Sequence, residues 1–406
     1  IQTACGTVSG ADINSLVDHL MVVEATGNAD ASAIATDLLM QMPEVLPPAY
    51  AATQQQNPYA TPNVVMDSNF MAGQTAMLRL MQMRDGALGA AAGKVADASG
   101  GHPVDMTQPS AIGSPLNGPT PDEGARPWMR GYGFWENVDD TDCAQCGYDA
   151  SIGGAMVGMD WAVDGGGIVG AFAGLGPGVV NMDGWYGHEQ DNVTDVMFGI
   201  YGSVVPKGGT LYAEGFLMGG YTSVDRARTI ALPGATPRLA SSSNDAWSLT
   251  AGGELGLNLS IGERSWLQPY LGLSWSNYWG GSYSETGASS LDLTVDSQSC
   301  SLFQPTVGAR LLHSYMIGRD MLTPYVGLAF LAQPPTGGWA PTYTSAINLG
   351  QTTSTLSGPP DRYGGNIQAG LEFATVKGVN AYIAFDGAVM TDKQRFGGQV
   401  GVFVPF

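Results

Sequence analysis

From residue 126 to the end, the chain repeats one pattern about twelve times. Each repeat is a run in which apolar and polar side chains alternate, and breakers rich in Gly, Pro, Asp and Ser separate the runs. The runs are 126–137, 148–163, 168–180, 193–205, 210–224, 246–260, 265–279, 301–315, 321–333, 364–375, 379–390 and 394–406. Successive side chains of a strand point to opposite faces, so each run presents one apolar and one polar face. The connections are sorted by parity. Those at 164–167, 206–209, 261–264, 317–320 and 376–378 are short, and they interleave with longer, more polar segments at 138–147, 181–192, 225–245, 280–300 and 334–363; the last gap, 391–393, is short. A soluble sandwich or propeller has no reason to sort its connections. A membrane barrel does, with tight turns at one end and long loops at the other.

The faces agree. Leu249, Ala251, Leu255, Leu257 and Leu259 oppose Thr250, Glu254 and Asn258, and Ile367, Ala369, Leu371 and Phe373 oppose Asn366, Gln368 and Glu372. Within the runs the charges Glu214, Glu254, Arg310, Glu372 and Asp386 all fall on the polar face. A closed sheet with an apolar outside and a charged inside fits lipid outside and water inside. Trp128, Trp135, Trp161, Trp266, Trp275 and Trp279 lie near run ends or in their outer thirds, where interfacial girdles are expected. No run of 18 or more apolar residues occurs, so no helical span is expected. The mean hydropathy of +0.01 suits a barrel, whose short alternating strands average out. The expected fold class is therefore an all-β membrane protein: a 12-stranded antiparallel transmembrane β-barrel at 126–406, preceded by an α-helical segment.

The formal net charge of −20 excludes a basic surface for nucleic acid. Acidic residues cluster at 136–149 and 183–195, and both stretches are expected to be loops.

Residues 1–97 lack strand alternation and carry three helical patterns, at 12–24, 31–42 and 66–88. Asp12 is a plausible N-cap for the first, and Pro43 ends the second. Asp67 and Ser68 are placed to cap the third, whose apolar positions include Phe70, Met77 and Leu80. Residues 98–125 are rich in Gly, Pro, Ser and Asp and are expected to be a flexible linker. The expected divisions are thus a helical segment at 1–65, a helix at 66–97, the linker and the barrel.

Cys143 and Cys146 have a spacing open to three readings: a redox motif, half a zinc site or a small disulfide loop. A zinc site lacks two further ligands, and the surroundings are strand-like, so a structural disulfide is favoured. Cys5 and Cys300 form a second pair if both lie on the same side of the membrane. The histidines His19, His102, His188 and His313 are scattered without ligand spacing. No metal, cofactor or catalytic residue is expected, and an enzyme is the weakest of the readings, resting on His188 in an acidic loop and on His313 near a rim. No signal peptide stands at Ile1, although export of a barrel requires one, so the chain is expected to be processed or to be a C-terminal fragment.

The chain closes on Gln399-Val-Gly-Val-Phe-Val-Pro-Phe406. Gln399, Gly401, Val404 and Phe406 resemble the terminal assembly signal of outer-membrane barrels, which the barrel-assembly machinery recognises. Upstream, 38–50 is similar to the leucine, proline and tyrosine segment that commonly precedes the barrel of the type V secretion autotransporter family. With the helix, the linker and a first strand near Trp128, residues from about 31 onward resemble that family. The resemblance implies a 12-stranded translocator with a helix in the pore, here 66–88 with Phe70, Met77, Arg79, Leu80 and Arg84. It also implies an N-terminal passenger exported to the cell surface, outer-membrane lipid around the barrel, and long loops outside the cell. The paired asparagines that one subgroup uses for cleavage inside the barrel are absent from the helix, so no self-cleavage is expected there. Arg310 is expected to brace the wall through Glu214, Glu254 or Glu372, and those carboxylates are equally placed to meet Arg79 or Arg84. The long linker leaves a second place for the helix, below the barrel. The competing reading is a passive porin or structural barrel with acidic surface loops.

Overall fold

In the computed structural model, the described residues are 10–25, 27–41, 57–97, 125–139, 147–163, 167–184, 186–206, 210–336, 342–345, 353–354, 361–375 and 379–403. Twelve long strands follow one another: β1 (Arg126–Val138), β2 (Tyr148–Val163), β3 (Gly167–Gly184), β4 (Gly187–Val204), β5 (Leu211–Ile230), β6 (Arg238–Leu257), β7 (Ser265–Gly280), β8 (Gln298–His313), β9 (Asp320–Gln333), β10 (Arg362–Ala374), β11 (Asn380–Met390) and β12 (Lys393–Phe403). Each pairs antiparallel with its neighbours in sequence, and β12 pairs back to β1 with Val400 opposite Gly131. The sheet is therefore a closed barrel without a free edge, which satisfies every strand's ladder inside lipid. Short pieces, Leu259–Gly262 and Tyr315–Ile317, extend β6 and β8 at the short-turn end.

The outward side chains are apolar. Leu271, Leu328, Ile383 and Val400 are each 60% or more exposed. The inward ones, among them Gln268, Glu254, Arg310 and Asp386, are buried. Trp135, Trp161 and Trp279 face outward as a girdle requires. Trp128 and Trp266 do not: both are buried on the inner side, and Trp128 donates its indole N–H to Tyr201 at 2.6 Å. An indole inside a polar lumen finds an acceptor that lipid does not offer.

Two connections expected as loops are largely strand. Residues 181–192 and 225–245 carry β3–β6 well beyond the apolar band, leaving only 185–186 and 231–237 between strands. His188 and the acidic stretch from 187 to 195 accordingly lie in β4, Glu136 lies in β1, and Cys300 lies in β8 rather than in a loop. Burial still alternates there, with Arg226, Arg228 and Ile230 inward and Asp225 outward. Above the lipid both faces are polar, so the apolar–polar contrast that marks a strand in sequence vanishes. The remaining long segments fold over the same end. Tyr283–Ser284, Thr294–Val295, Thr342–Thr344 and Thr353–Ser354 make a four-stranded sheet around Leu293, Val295 and Tyr343, and Ser289–Leu291 forms a 3₁₀ turn.

Among the described residues three helices precede the barrel: α1 (Gly10–Glu24), α2 (Ala29–Leu39) and α3 (Ala60–Asp97). Asn28 caps α2 by accepting from the backbone N–H of Ala31 at 3.1 Å, and Asp12 falls inside the first turn of α1 rather than at its cap. α3 begins six residues before the expected start at 66. Asn57 accepts from the N–H of Tyr59 at 3.0 Å just ahead of it, an Asx turn that leads the chain into the helix, and Pro62 sits in the first turn, where a missing N–H costs nothing. Asp67 and Ser68 are thus interior residues of the helix, not caps.

The barrel lumen as candidate functional site

α3 packs against β1–β7 from inside the barrel. Between 57 and 84 almost every side chain is buried, on all sides of the helix. A helix buried all round is normally apolar all round. This one is not, because the wall around it is itself polar and aromatic, and the charged groups of the helix, with several of its polar ones, meet a wall partner at their own depth.

Near the long-loop end, Thr61 donates to Asp191 of β4, and Gln298 of β8 donates to the carbonyl of Pro58 at 3.3 Å. One turn on, Asp67 meets Lys393 and Arg395, both inward residues of β12; the Arg395 contact is 2.9 Å. Lys393 also lies 3.1 Å from Glu136 of β1, whose other oxygen accepts from Tyr148 of β2 at 2.7 Å. Gln333 of β9 donates to Asp67 at 2.9 Å. Lys393 therefore links the helix carboxylate to Glu136 of the first strand across the seam where the barrel closes. At mid-depth Asn69 donates to Ser248 of β6 at 3.0 Å. Arg130 of β1 reaches the carbonyl of Thr75 and the side chain of Gln82, and its guanidinium stacks 4.2 Å from the Tyr382 ring centroid. Toward the short-turn end, Arg79 donates to Asp160 of β2 at 2.8 Å and Arg84 to Glu214 of β5 at 2.6 Å. The Arg84 guanidinium lies 3.6 Å from the Tyr212 ring centroid.

Of the residues anticipated from sequence, Phe70 and Leu80 are buried among the lumen core, and Met77 packs against it. The five wall charges all point inward, but they pair selectively. Arg310 makes a bidentate bridge to Glu254, at 2.6 and 2.7 Å, and donates to Gln368 at 3.1 Å. Glu214 takes the helix arginine instead. Asp386 accepts from Asn366 at 2.9 Å and lies 3.6 Å from Arg395, while Glu372 lies near Asn380 at 3.5 Å. Gln399 is buried on the inner face beside Met71, and Gly401 is half-buried in β12; Val404 and Phe406 lie outside the described residues. Cys300 is a buried free thiol, and Cys5, Cys143 and Cys146 lie outside the described residues. At the short-turn rim His313 Nδ1 is 2.7 Å from Ser265 Oγ; among the described residues no carboxylate hydrogen-bonds to that imidazole.

Sequence reasoning missed Asp67, Asp160, Lys393, Arg395 and Arg130 as site residues. Arg130, Asp160 and Arg395 sit at the positions of their runs that alternation assigns to the lumen, so that signal was available for them, whereas Lys393 falls in the gap expected at 391–393 and is the first residue of β12. Asp67 had no such signal, because its cationic partners arrive from β12, more than three hundred residues later.

Beside the helix, facing β5–β12, a cavity of about 90 Å³ remains, lined by Gln74, Met77, Glu254, Arg310, Gln368 and Asp386. Liquid water takes about 30 Å³ per molecule, so the space holds a few waters and no polypeptide.

Residues 127–386 match the family model of the autotransporter β-domain. The chain belongs to the autotransporter family. The translocator domain of the autotransporter NalP from Neisseria meningitidis shares its fold with a TM-score of 0.52 at 14% identity, covering 83% of this chain and 98% of that one. The β-domain of the Bordetella autotransporter Brka gives a TM-score of 0.50 at 18% identity, covering 70% of this chain and 99% of that one. At such identities the likeness is one of fold. No curated protein sequence matches this autotransporter. Membership of the family sets the barrel in a bacterial outer membrane, with an N-terminal passenger attached to it.

Proposed function

We propose that this autotransporter passes its own N-terminal chain out through the barrel and then holds it there, with α3 as the plug. One observation carries the reading: the chain runs through its own lumen. The start of α3 bonds to the long-loop rim through Thr61 and Pro58, Arg84 bonds near the short-turn end, and β1 begins at that same short-turn end. The α1–α2 pair and the first residues of β1 are therefore at opposite ends of the barrel. Short turns are periplasmic in outer-membrane barrels, which puts the long loops and the N-terminal segment at the cell surface. Lipid contacts the apolar outer face, and the terminal strand with Gln399, Gly401, Val404 and Phe406 presents the edge that the assembly machinery captures. The functional divisions are a surface segment up to the start of α3, the plug, a linker and the barrel. No catalytic role is assigned; Ser265 and His313 form a cross-strand hydrogen bond at the rim, and among the described residues no carboxylate bonds to that imidazole to orient it as a base.

A porin differs in having an open lumen. The test compares the intact chain with one lacking 1–97, each checked for a mobility shift between unboiled and boiled gel samples and then recorded in planar bilayers. The expected result is a shift for both and a conductance that rises severalfold on deletion, since the plug vacates the pore. High conductance from the intact chain would favour the porin.

A further inference from the structure

Upstream of the plug, α1 and α2 form a helical hairpin that rests on the long-loop rim. Its own turn is well tied: Ser32 Oγ donates to the carbonyl of Glu24 at 2.8 Å and Thr36 to the Glu24 carboxylate at 3.2 Å. One face of the hairpin, with Leu20, Val23, Ala31, Ile34, Ala35 and Leu38, is buried in a single apolar cluster with rim residues. Those are Ile230 and Leu232 at the end of β5, Ala240 of β6, and Ala288 and Leu291 around the 3₁₀ turn.

Polar contacts surround that centre. Arg238 of β6 grips Asp30 with both terminal nitrogens, at 2.6 and 2.7 Å, and the backbone N–H of Ser290 donates to the same carboxylate at 3.0 Å. Arg238 also donates to the carbonyl of Ala288 at 3.0 Å, so one guanidinium ties the two rim loops to each other and to the hairpin. Gln41 reaches the carbonyl of Pro233. An apolar centre within a polar margin, with a planar bidentate pair at the edge, is the anatomy of a protein–protein interface rather than of a passing chain. The lumen itself is taken by α3, whose side chains from 57 to 84 are almost all buried, and the two helices lie on the rim.

We propose that the hairpin is a second, non-covalent anchor: a module that docks on the rim in cis and keeps itself, and whatever chain precedes it, on the barrel when the connection to α3 is cut. It rests on the contacts at the rim and not on the direction of transport, so it is tested on purified protein.

A sequence-specific protease site is inserted between 42 and 56 of the full chain, and the protein is purified in detergent micelles, cut, and passed over a sizing column. The hairpin fragment is expected to co-elute with the barrel. Ile34→Asp should release it, and Asp30→Ala should speed its dissociation roughly tenfold, the loss of about one charge-assisted contact. The exchange Asp30→Arg with Arg238→Asp should restore part of the retention. The boiling shift of each variant, unchanged, establishes that the barrel itself is intact. Release of the wild-type fragment on cutting would overturn the proposal, as would equal retention of the Ile34→Asp fragment. Failure of the export reading would appear in the conductance experiment and leave this one untouched.

Discussion

Asp67 carries two of the lumen's buried ion pairs. It stands fully buried against two cations of β12, with Glu136 and Asp386 as the remaining anions nearby. Breaking a buried pair leaves an uncompensated charge, which costs about 3–5 kcal/mol. Asp67→Asn should therefore lower the temperature at which the boiling shift occurs. Lys393→Met alone should also lower it, and the double variant should lose less than the sum, because the charge left unpaired in each single variant is gone. Additive losses would mean that the two do not act as a pair. At the mouth, above the lipid, burial pushes the Glu189 carboxyl up to about 8; Asp191 and Glu285 press the same way, and Arg228 and Arg226 oppose them. Its folded value lies above the unfolded one, near 4.3. Below about 4 it is protonated in both states and contributes no pH dependence. As pH rises from about 4 to about 8, only the unfolded chain releases the proton, so stability falls over that window and levels off above it. The shift temperature of the wild type should accordingly be lower at pH 8 than at pH 5. Glu189→Gln should flatten the difference, and an unchanged slope in that variant would assign the effect to another group.

At the scale of elements, α3 is held by shape as well as charge. Gly73 faces Phe216 of β5 so closely that a Cβ there would lie within 2.1 Å of the ring. The ring is itself buried, so it has little space to retreat. Gly73→Val is expected to move the plug off this wall, with an overpacking penalty of about 1–3 kcal/mol. Single-channel recordings should show raised or unsteady conductance, and Phe216→Ala in the same chain should bring the closed behaviour back. A Gly73→Val channel as quiet as the wild type would show that the helix has slack at this contact.

The whole molecule is a barrel threaded by its own chain and covered at one end by loops and a hairpin. Its parts depend on one another unequally. The outer face needs only alternation and lipid, whereas the inner face of β12 carries Lys393 and Arg395, which lean on a helix carboxylate. The chain lacking 1–97 should therefore still form a barrel, but its boiling shift should occur at a lower temperature than in the intact protein. Equal shift temperatures would make the plug a passenger of the lumen without a share in its stability. The free energy that closes the seam is thus partly drawn from a segment that lies outside the strands altogether.

The sequence by itself determined the twelve strands, their inward and outward faces and the side on which the long connections lie. A strand in lipid must be apolar on every second residue, and that constraint is written locally. It also placed the wall charges Glu214, Glu254, Arg310, Glu372 and Asp386 inward, and located a helix over 66–88 from its spacing. Only the tertiary structure decided which charges meet. Arg310 takes Glu254, Arg84 takes Glu214, and Asp67 takes Lys393 and Arg395 of β12, because pairing depends on register and on the depth of the helix, which no local pattern encodes. The strands above the membrane were hidden for a related reason: with polar residues on both faces, alternation survives in burial and not in chemistry. The docked hairpin, finally, is an agreement between two surfaces some two hundred residues apart, and neither surface differs, taken alone, from an ordinary amphipathic helix or an ordinary loop.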